Sequence, residues 1–282
     1  MRVAVVGARG QMGAAVVAEC AGVHDTVAFT RAELDASDDA AVAATMARVR
    51  PDVIVNGAAY TDVDGSEAHP VDALNGNTFA VRALARAAVA LGATLVHYST
   101  DFVFDGTATR PYTELDQTNP RSVYALSKLL GEWFAFDAPR AYVLRVESLF
   151  GGAAGGGPSK GSVAGILNTL KAGGVPKVFE DRTISPTYVI DAARATRRLF
   201  ESDAPAGIYH CVNSGFCTWL AFAEELARQL GVEPRFEPVR MSDMTLKAAR
   251  PQYCALSNEK LRAVGIDMPA WQDALRRYLA GC

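Results

Sequence analysis

The chain has 282 residues, 50% of them hydrophobic and 21% charged, with a formal net charge of −3, an ordinary globular composition for one large domain or two modest ones. It has no basic patch or run of like charge, so nucleic acid is not an expected partner, and its longest uncharged stretch, Ala204 to Ala223, is broken by Pro205, Asn213, Ser214 and Gly215 and is not a membrane span. The five cysteines are scattered and form no Cys-x-x-Cys pair, which excludes a disulfide framework and a zinc site and fits a reducing cytoplasm.

The short apolar run at Val3 to Val6 stops at Gly7, as a buried strand does and a signal peptide does not. From there short β-branched runs alternate with Ala-rich helical stretches. The expected order is a helix over Gln11 to Cys20, a strand over Thr26 to Thr30, a helix near Asp38 to Arg48 and a strand over Asp52 to Asn56. A long helix near Ala73 to Ala90, a strand over Thr94 to Ser99, a helix carrying Tyr124 and Lys128, and a strand over Arg140 to Val146 follow. Strands that are apolar throughout and separated by helices predict a parallel sheet covered on both faces: an α/β, doubly wound, Rossmann-type domain with its ligands at the C-terminal strand ends.

After Val146 the rhythm changes. Gly151 to Gly161 reads as a Gly-rich mobile loop, and helices are expected over Tyr188 to Phe200, Thr218 to Leu230 and Trp271 to Leu279. In the second of these, Trp219, Leu220, Ala223, Leu226, Ala227 and Leu230 follow helical spacing, so Trp219 is expected in a core. The pattern predicts two discontinuous domains. Residues 1–147 with about 188–214 would bind a dinucleotide, and about 148–187 with 215–282 would form a smaller substrate domain.

Gly7, Gly10 and Gly13 follow the first strand as G-x-x-G-x-x-G, a spacing that suits a tight turn under a pyrophosphate at a helix N-terminus. The end of the second strand carries Phe29, Thr30 and Arg31 with no carboxylate at its tip; Asp35 comes a turn later, and Arg9 lies in the glycine loop. An acidic tip would take a ribose hydroxyl and an Arg a 2′-phosphate, so the pattern favours NADPH, with NADH as the alternative.

The fourth strand ends in Ser99, Thr100 and Asp101, and Tyr124 and Lys128 share one helical face. An ammonium beside a phenol is expected to draw the phenol pKa down towards neutrality. Such a Tyr can give a proton to a carbonyl oxygen as hydride reaches the carbon, while the Thr100 hydroxyl holds that oxygen in line. Three segments thus bring the parts of a carbonyl reductase.

The stretches "GARGQMG", "PDVIVNGAAYTDVDGSE", "VHYSTDFVFDG", "PRSVYALSKLLGE", "SPTYVIDAARA" and "ARPQYCAL" resemble, nearly end to end, the extended short-chain dehydrogenase/reductases, and within them the dTDP-4-dehydrorhamnose reductase family. The resemblance implies that Thr100, Tyr124 and Lys128 form the catalytic triad, with Lys128 also on the nicotinamide ribose. It implies that Gly10, Gln11 and Met12 lie at the phosphates, Asp35 and Ala36 on the adenine side, and Ala58, Ala59 and Tyr60 under the pyrophosphate and ribose. Asn77 would support the active-site backbone, and Thr100 and Asp101 would touch the sugar. Arg182, Pro186, Thr187 and Arg250 look placed to meet a nucleotide diphosphate.

Two departures stand out. Arg182 takes a place where the family usually has Gln. Ser148, in "RVESLFGG", takes the place of a Trp that packs on the sugar, with Glu147 beside it either to meet a polar substituent or to lie solvated in a loop. The implied activity is NADPH-dependent reduction of the 4-keto group of a nucleotide-linked 6-deoxyhexose. The alternatives are another nucleotide-bound keto sugar and a non-catalytic sugar-nucleotide or NADP-binding regulatory subunit. A 4,6-dehydratase is disfavoured by Phe102 where an acidic pair would continue. A nucleotide sugar is the expected partner, no metal is called for, and a homodimer is left open.

Overall fold

The structure is a computed structural model that describes residues 1–152 and 161–281; residues 153–160 of the expected Gly-rich loop lie outside the described residues. In chain order the first half contains β1 (Arg2–Val6), α1 (Gln11–Cys20), β2 (Asp25–Phe29), α2 (Asp39–Val49), β3 (Val53–Asn56), α3 (Val63–Ala68), α4 (Pro70–Leu74), α5 (Ala80–Leu91), β4 (Thr94–Thr100), α6 (Val123–Ala135) and β5 (Arg140–Val146). The second half contains β6 (Leu149–Phe150), α7 (Ser162–Lys171), β7 (Lys177–Phe179), β8 (Thr183–Ile184), β9 (Thr187–Tyr188), α8 (Val189–Glu201), β10 (Gly207–His210), β11 (Cys217–Thr218), α9 (Trp219–Leu230), β12 (Glu237–Val239), α10 (Glu259–Ala263) and α11 (Trp271–Ala280).

Six strands form one sheet in the order β10-β5-β4-β3-β1-β2, with every neighbouring pair parallel. The apolar strands feed a core on each face: Val3, Val5, Val53 and Val55 point to one, and Ala4, Val6 and Ile54 to the other. The chain steps outward from β1 to β2 and then returns past it to β3. The strand order therefore reverses between β1 and β3, and a crevice opens above their C-terminal ends. Within the stretch 188–213, α8 packs its Ala192, Ala193 and Leu199 into the core that also holds Ala15, Val16 and Cys20 of α1, and β10 extends the sheet beside β5. A third core gathers Phe150, Trp219, Phe222, Trp271, Leu275 and Tyr278 beneath α7, α9 and α11, so Trp219 is a packing residue.

One expected helix is subdivided. The run from Ala73 to Ala90 ends α4 at Leu74, widens to a π-helical turn over Asn75–Phe79, and resumes as α5. The widened turn buries Asn77 and directs its amide at the loop after β3, a device common near functional sites. Helix α7 and the short strands β6 to β9, β11 and β12 were not anticipated, because two- and three-residue strands carry no readable period. Among the described residues no helix is long and apolar enough to cross a membrane.

Candidate active site

The crevice is a cleft of ≈ 440 Å³ lined by Gly7, Arg9 and Gly10 after β1, Arg31, Asp35 and Ala36 after β2, and Ala58, Ala59 and Tyr60 after β3. Glycine is required here by close approach. A Cβ on Gly7, which has φ +79°, would sit 2.5 Å from the Ala58 nitrogen, and one on Gly13 would sit 2.3 Å from the Gly7 carbonyl oxygen. Gly10 leads into α1 with no side chain capping the helix, so the positive end of α1 faces the cleft uncovered. Met12 is buried under this turn, and Gln11 reaches away from it, donating from Nε2 to the Gly151 carbonyl at 2.7 Å. A glycine turn, an open helix N-terminus and a long cleft at the switch point fit a dinucleotide.

The carboxylate that reaches the tip of β2 is that of Glu33, which follows the strand and is not part of it. The Thr30 amide is taken by Glu33 Oε2 at 2.8 Å. Asp35 accepts from the Ser37 hydroxyl at 2.7 Å and the Ser37 amide at 3.0 Å, and these two bonds hold its carboxyl below the usual range. Arg31 is 91% exposed at the rim, 3.9 Å from Asp35, and Arg9 is exposed on the facing loop.

Thr100, Tyr124 and Lys128 come together at the C-terminal end of β4. Ser122 starts α6 by accepting from the Ala125 amide at 3.3 Å, which puts Tyr124 in the first turn and Lys128 one turn on. Thr100 lies beside Tyr124, near enough to act on its phenol, and the Tyr124 ring stands edge-on to Phe102 at 5.7 Å. The expected lowering of the phenol pKa is not found. Burial, and after it the Asp101 carboxylate, push the Tyr124 phenol up to about 12, against a smaller opposite effect of Thr100. Lys128 is itself buried, donates to the Tyr98 carbonyl at 2.5 Å, and is brought down to about 8 by desolvation. The ammonium is thus bound to the end of β4 and is not among the groups that shift the phenol.

Around this trio runs a scaffold that sequence reasoning reached only at Asn77. Asn77 accepts from the Tyr60 amide at 2.9 Å, donates to the Tyr60 carbonyl at 3.0 Å and donates to Ser127 Oγ at 3.0 Å, so one amide ties the cleft wall to α6. Asn56 Oδ1 accepts from the Ala58 amide at 3.1 Å, while its Nδ2 meets His97 Nδ1 at 3.1 Å; burial pushes the His97 pKa well down, so the ring is neutral. Arg145 of β5 grips Glu132 of α6 at 2.9 and 2.7 Å, and Ser99 of β4 donates to the same carboxylate at 2.5 Å. These links pair residues far apart in the chain, which no local pattern reports.

On the substrate side the residues are drawn inward. Asp101 is 3% exposed and accepts from Thr100 Oγ1 at 3.0 Å. Glu147 is also 3% exposed, so it is not a solvated loop carboxylate; it accepts from Ser148 Oγ at 2.8 Å and from the Ser185 amide. Ser148 has φ +42°, a left-handed backbone. Arg182 lies over the Phe102 ring at 5.4 Å and 3.6 Å from Cys254 Sγ. Arg250 makes two bonds to Asp64 of α3, at 3.1 and 2.9 Å, and Pro186 and Thr187 are buried. In this arrangement Arg250 is held by Asp64, and Arg182 lies against Phe102 and Cys254.

A sequence model of the family described as "RmlD substrate binding domain" matches residues 1–282. The chain belongs to this family. It is 36% identical over 288 residues to the dTDP-4-dehydrorhamnose reductase of Mycobacterium tuberculosis, covering 99% of this chain and 92% of that protein. It is 35% identical to a probable dTDP-4,6-dihydroxy-2-methyloxan-3-one 4-ketoreductase of Streptomyces antibioticus, covering 98% and 94%. The crystal structure of the Bacillus anthracis dTDP-4-dehydrorhamnose reductase in complex with NADP superposes with a TM-score of 0.93 at 30% identity, covering 100% of this chain and 99% of that one.

Membership in the RmlD family accounts for the end-to-end resemblance. It does not account for the inward turn of Glu147 or for the pairing of Arg250 with Asp64, which are observations on this chain's own structure.

Proposed function

We propose that this chain reduces the 4-keto group of a nucleotide-linked 6-deoxyhexose with NADPH. The observation that carries the proposal is the meeting of Thr100, Tyr124 and Lys128 at the mouth of a cleft built for a dinucleotide. When bound, NADPH supplies the hydride. Gly7, Gly10, Gln11, Met12 and Gly13 would hold its pyrophosphate at the start of α1; Ala58, Ala59, Tyr60 and Asn77 would hold the neighbouring wall; Asp35 and Ala36 would flank the adenine. Arg9 and Arg31 would favour the 2′-phosphate. Tyr124, a phenol with its proton firmly held at neutral pH, gives that proton to the carbonyl oxygen, and Thr100 fixes the oxygen's position. Lys128 orients the ribose from its anchor on Tyr98. Asp101 and Ser148 line the sugar side, with Arg182 behind Asp101; Arg250 reaches a diphosphate only by leaving Asp64.

The names of the M. tuberculosis and B. anthracis relatives and the bound NADP of the latter support this reading. The S. antibioticus relative, with Ser148 in place of an aromatic ring, favours a second reading in which the hexose is another 4-keto sugar. We also propose a cytoplasmic protein, a division into a dinucleotide unit (1–147 with about 188–214) and a sugar unit (about 148–187 with 215–282), and a homodimer. Support for the dimer comes from Leu126, Trp133 and Phe136, exposed on α6 and just beyond its end.

The test is NADPH oxidation against a panel of nucleotide-linked 4-keto sugars. Turnover of dTDP-4-dehydrorhamnose above every other sugar supports the first reading, and preference for another sugar supports the second. Binding of cofactor and sugar with no turnover of any would sink both in favour of a regulatory subunit.

A further inference from the structure

Behind Tyr124 lies a buried cluster of charge in which Asp101 lines the sugar side but Glu147 is given no part in the proposed reduction. Asp101 and Glu147 are each 3% exposed and Cys254 is 1% exposed, and one ligating atom from each lies within 4.8 Å of the others. Arg182 faces the cluster, with its guanidinium nitrogen 3.6 Å from Cys254 Sγ. The titratable groups that act on Glu147 are Asp101 and Arg182, and Glu147 acts in turn on Cys217 and Cys254. A carboxylate oxygen of Asp101 (Oδ2) and the Nε of Arg182 are buried with no hydrogen-bond partner among the described residues.

Two carboxylates against one guanidinium leave an excess negative charge in a buried site. Like charges this close do not both ionise where desolvation is severe. A metal ion would relieve the excess, but the guanidinium already brings positive charge to the thiol. The remaining remedy is a retained proton. Burial, and after it the Asp101 carboxylate, push the Glu147 carboxyl well above the usual range; Asp101 is raised by burial against the pull of Arg182. Such a proton belongs to the pair.

The pair is connected to the reaction. Asp101 Oδ1 is 3.0 Å from Thr100 Oγ1, and the Thr100 side chain lies beside Tyr124, near enough to act on its phenol. Phe102 contacts both Tyr124 and Arg182, with its ring edge-on to the first and under the guanidinium of the second.

We propose that Asp101 and Glu147 hold one proton between them and return it, through Thr100, to Tyr124 after each reduction. The inference rests on Tyr124 being the proton donor to the reduced carbonyl. The Tyr124 O–H bond breaks and its proton goes to the substrate oxygen, whose electron pair has come from the hydride. The phenolate then takes the Thr100 hydroxyl proton, and Thr100 takes one from Asp101. Asp101 is replenished by Glu147, through a small rotation of either carboxyl or one bridging water across the gap. Both carboxyls are then ionised beside Arg182, a state that burial disfavours, so it is short-lived and the pair regains its proton from solvent once product leaves.

The test has a spectroscopic arm and a kinetic arm. Infrared spectra of the substrate-free protein at pH 8 should contain a protonated-carboxyl C=O band that Glu147→Gln removes. Gln is isosteric, can accept from Ser185 and donate to Ser148, and has no acidic proton to release. The same variant should lower kcat about tenfold or more and raise the solvent deuterium isotope effect on kcat, with KM and NADPH affinity within about twofold of wild type. A wild-type protein with no protonated carboxyl at pH 8, or a Glu147→Gln variant with wild-type kcat, overturns the proposal. If Glu147→Gln does not fold, loss of the same band in Asp101→Asn decides the matter. Should wild type reduce no keto sugar at all, the functional reading fails separately, because the infrared arm needs no substrate.

Discussion

Lys128 Nζ donates to the main-chain carbonyl of Tyr98 at 2.5 Å, so the helix that carries Tyr124 is pinned through its lysine to the last turn of β4. Burial brings the ammonium down to about 8, against about 10.5 for a lysine in water. Its folded pKa therefore lies below the unfolded one. The cost of burying the charge is fully present below pH 8 and is relieved as pH rises from about 8 towards 10.5, a window in which stability gains. Activity should move the opposite way, because the charged form that orients the ribose is lost over the same range. We predict that kcat/KM declines above about pH 8. We also predict that Lys128→Met loses activity and cofactor affinity yet unfolds later at pH 7, by roughly 1–3 kcal/mol. Thermal melts and fluorescence titration with NADPH check both halves; a variant with full cofactor affinity would leave Lys128 no role at the ribose.

Tyr124→Phe keeps the ring against Phe102 and removes the hydroxyl. Turnover should fall by about 10²–10⁴-fold, the usual share of a positioned acid, while the NADPH Kd stays within about twofold. A loss smaller than about tenfold, which is under ~1.4 kcal/mol, would assign the proton to another group.

Arg9 and Arg31 are the exposed cations at the adenine end of the cleft, and Arg31 leans 3.9 Å from Asp35. Replacing both with Ala should bring the kcat/KM values for NADPH and NADH to within a few-fold of each other. A wild-type preference for NADH would shift the discrimination to Asp35, whose carboxylate is already oriented by Ser37.

Asn77 is fully buried and satisfies both the amide and the carbonyl of Tyr60. Asn77→Ala should leave the Tyr60 amide and carbonyl unpaired, while Ser127 keeps its bond to the Tyr124 carbonyl, and cost about 2–4 kcal/mol in denaturant unfolding. The wall of the cleft should loosen with it, raising the NADPH Kd. Unchanged unfolding would mean that water replaces the amide without loss.

Ser148 has φ +42°, and its hydroxyl bonds to Glu147. Ser148→Trp asks a bulky residue to take a left-handed backbone beside a buried carboxyl, at a cost of about 1–3 kcal/mol. The variant should melt lower than wild type, whereas Ser148→Gly should melt close to it. An equally stable Trp variant that works better on dTDP-4-dehydrorhamnose would mean that the ring is simply missing from an otherwise standard sugar pocket.

The pattern of residues alone determined the doubly wound sheet. Apolar runs such as Val53 to Val55 read as strands buried on both faces, and Gly7 and Gly13 mark a turn where a side chain would collide with neighbouring backbone. The helical spacing of Tyr124 and Lys128 likewise put both on one face before any coordinates were needed. Tertiary structure decided how these groups are charged and what restrains them. The Tyr124 phenol goes up and not down, because its burial and the nearness of Asp101 are set by the packing of α6 on the end of β4. The Asn56–His97 and Glu132–Arg145 links, the meeting of Asp101 with Glu147 and the hold of Asp64 on Arg250 join segments far apart in the chain. Periodicity reports only which side of an element faces inward; which charge meets which, and how little water lies between them, is fixed when separate strands and helices close over one another.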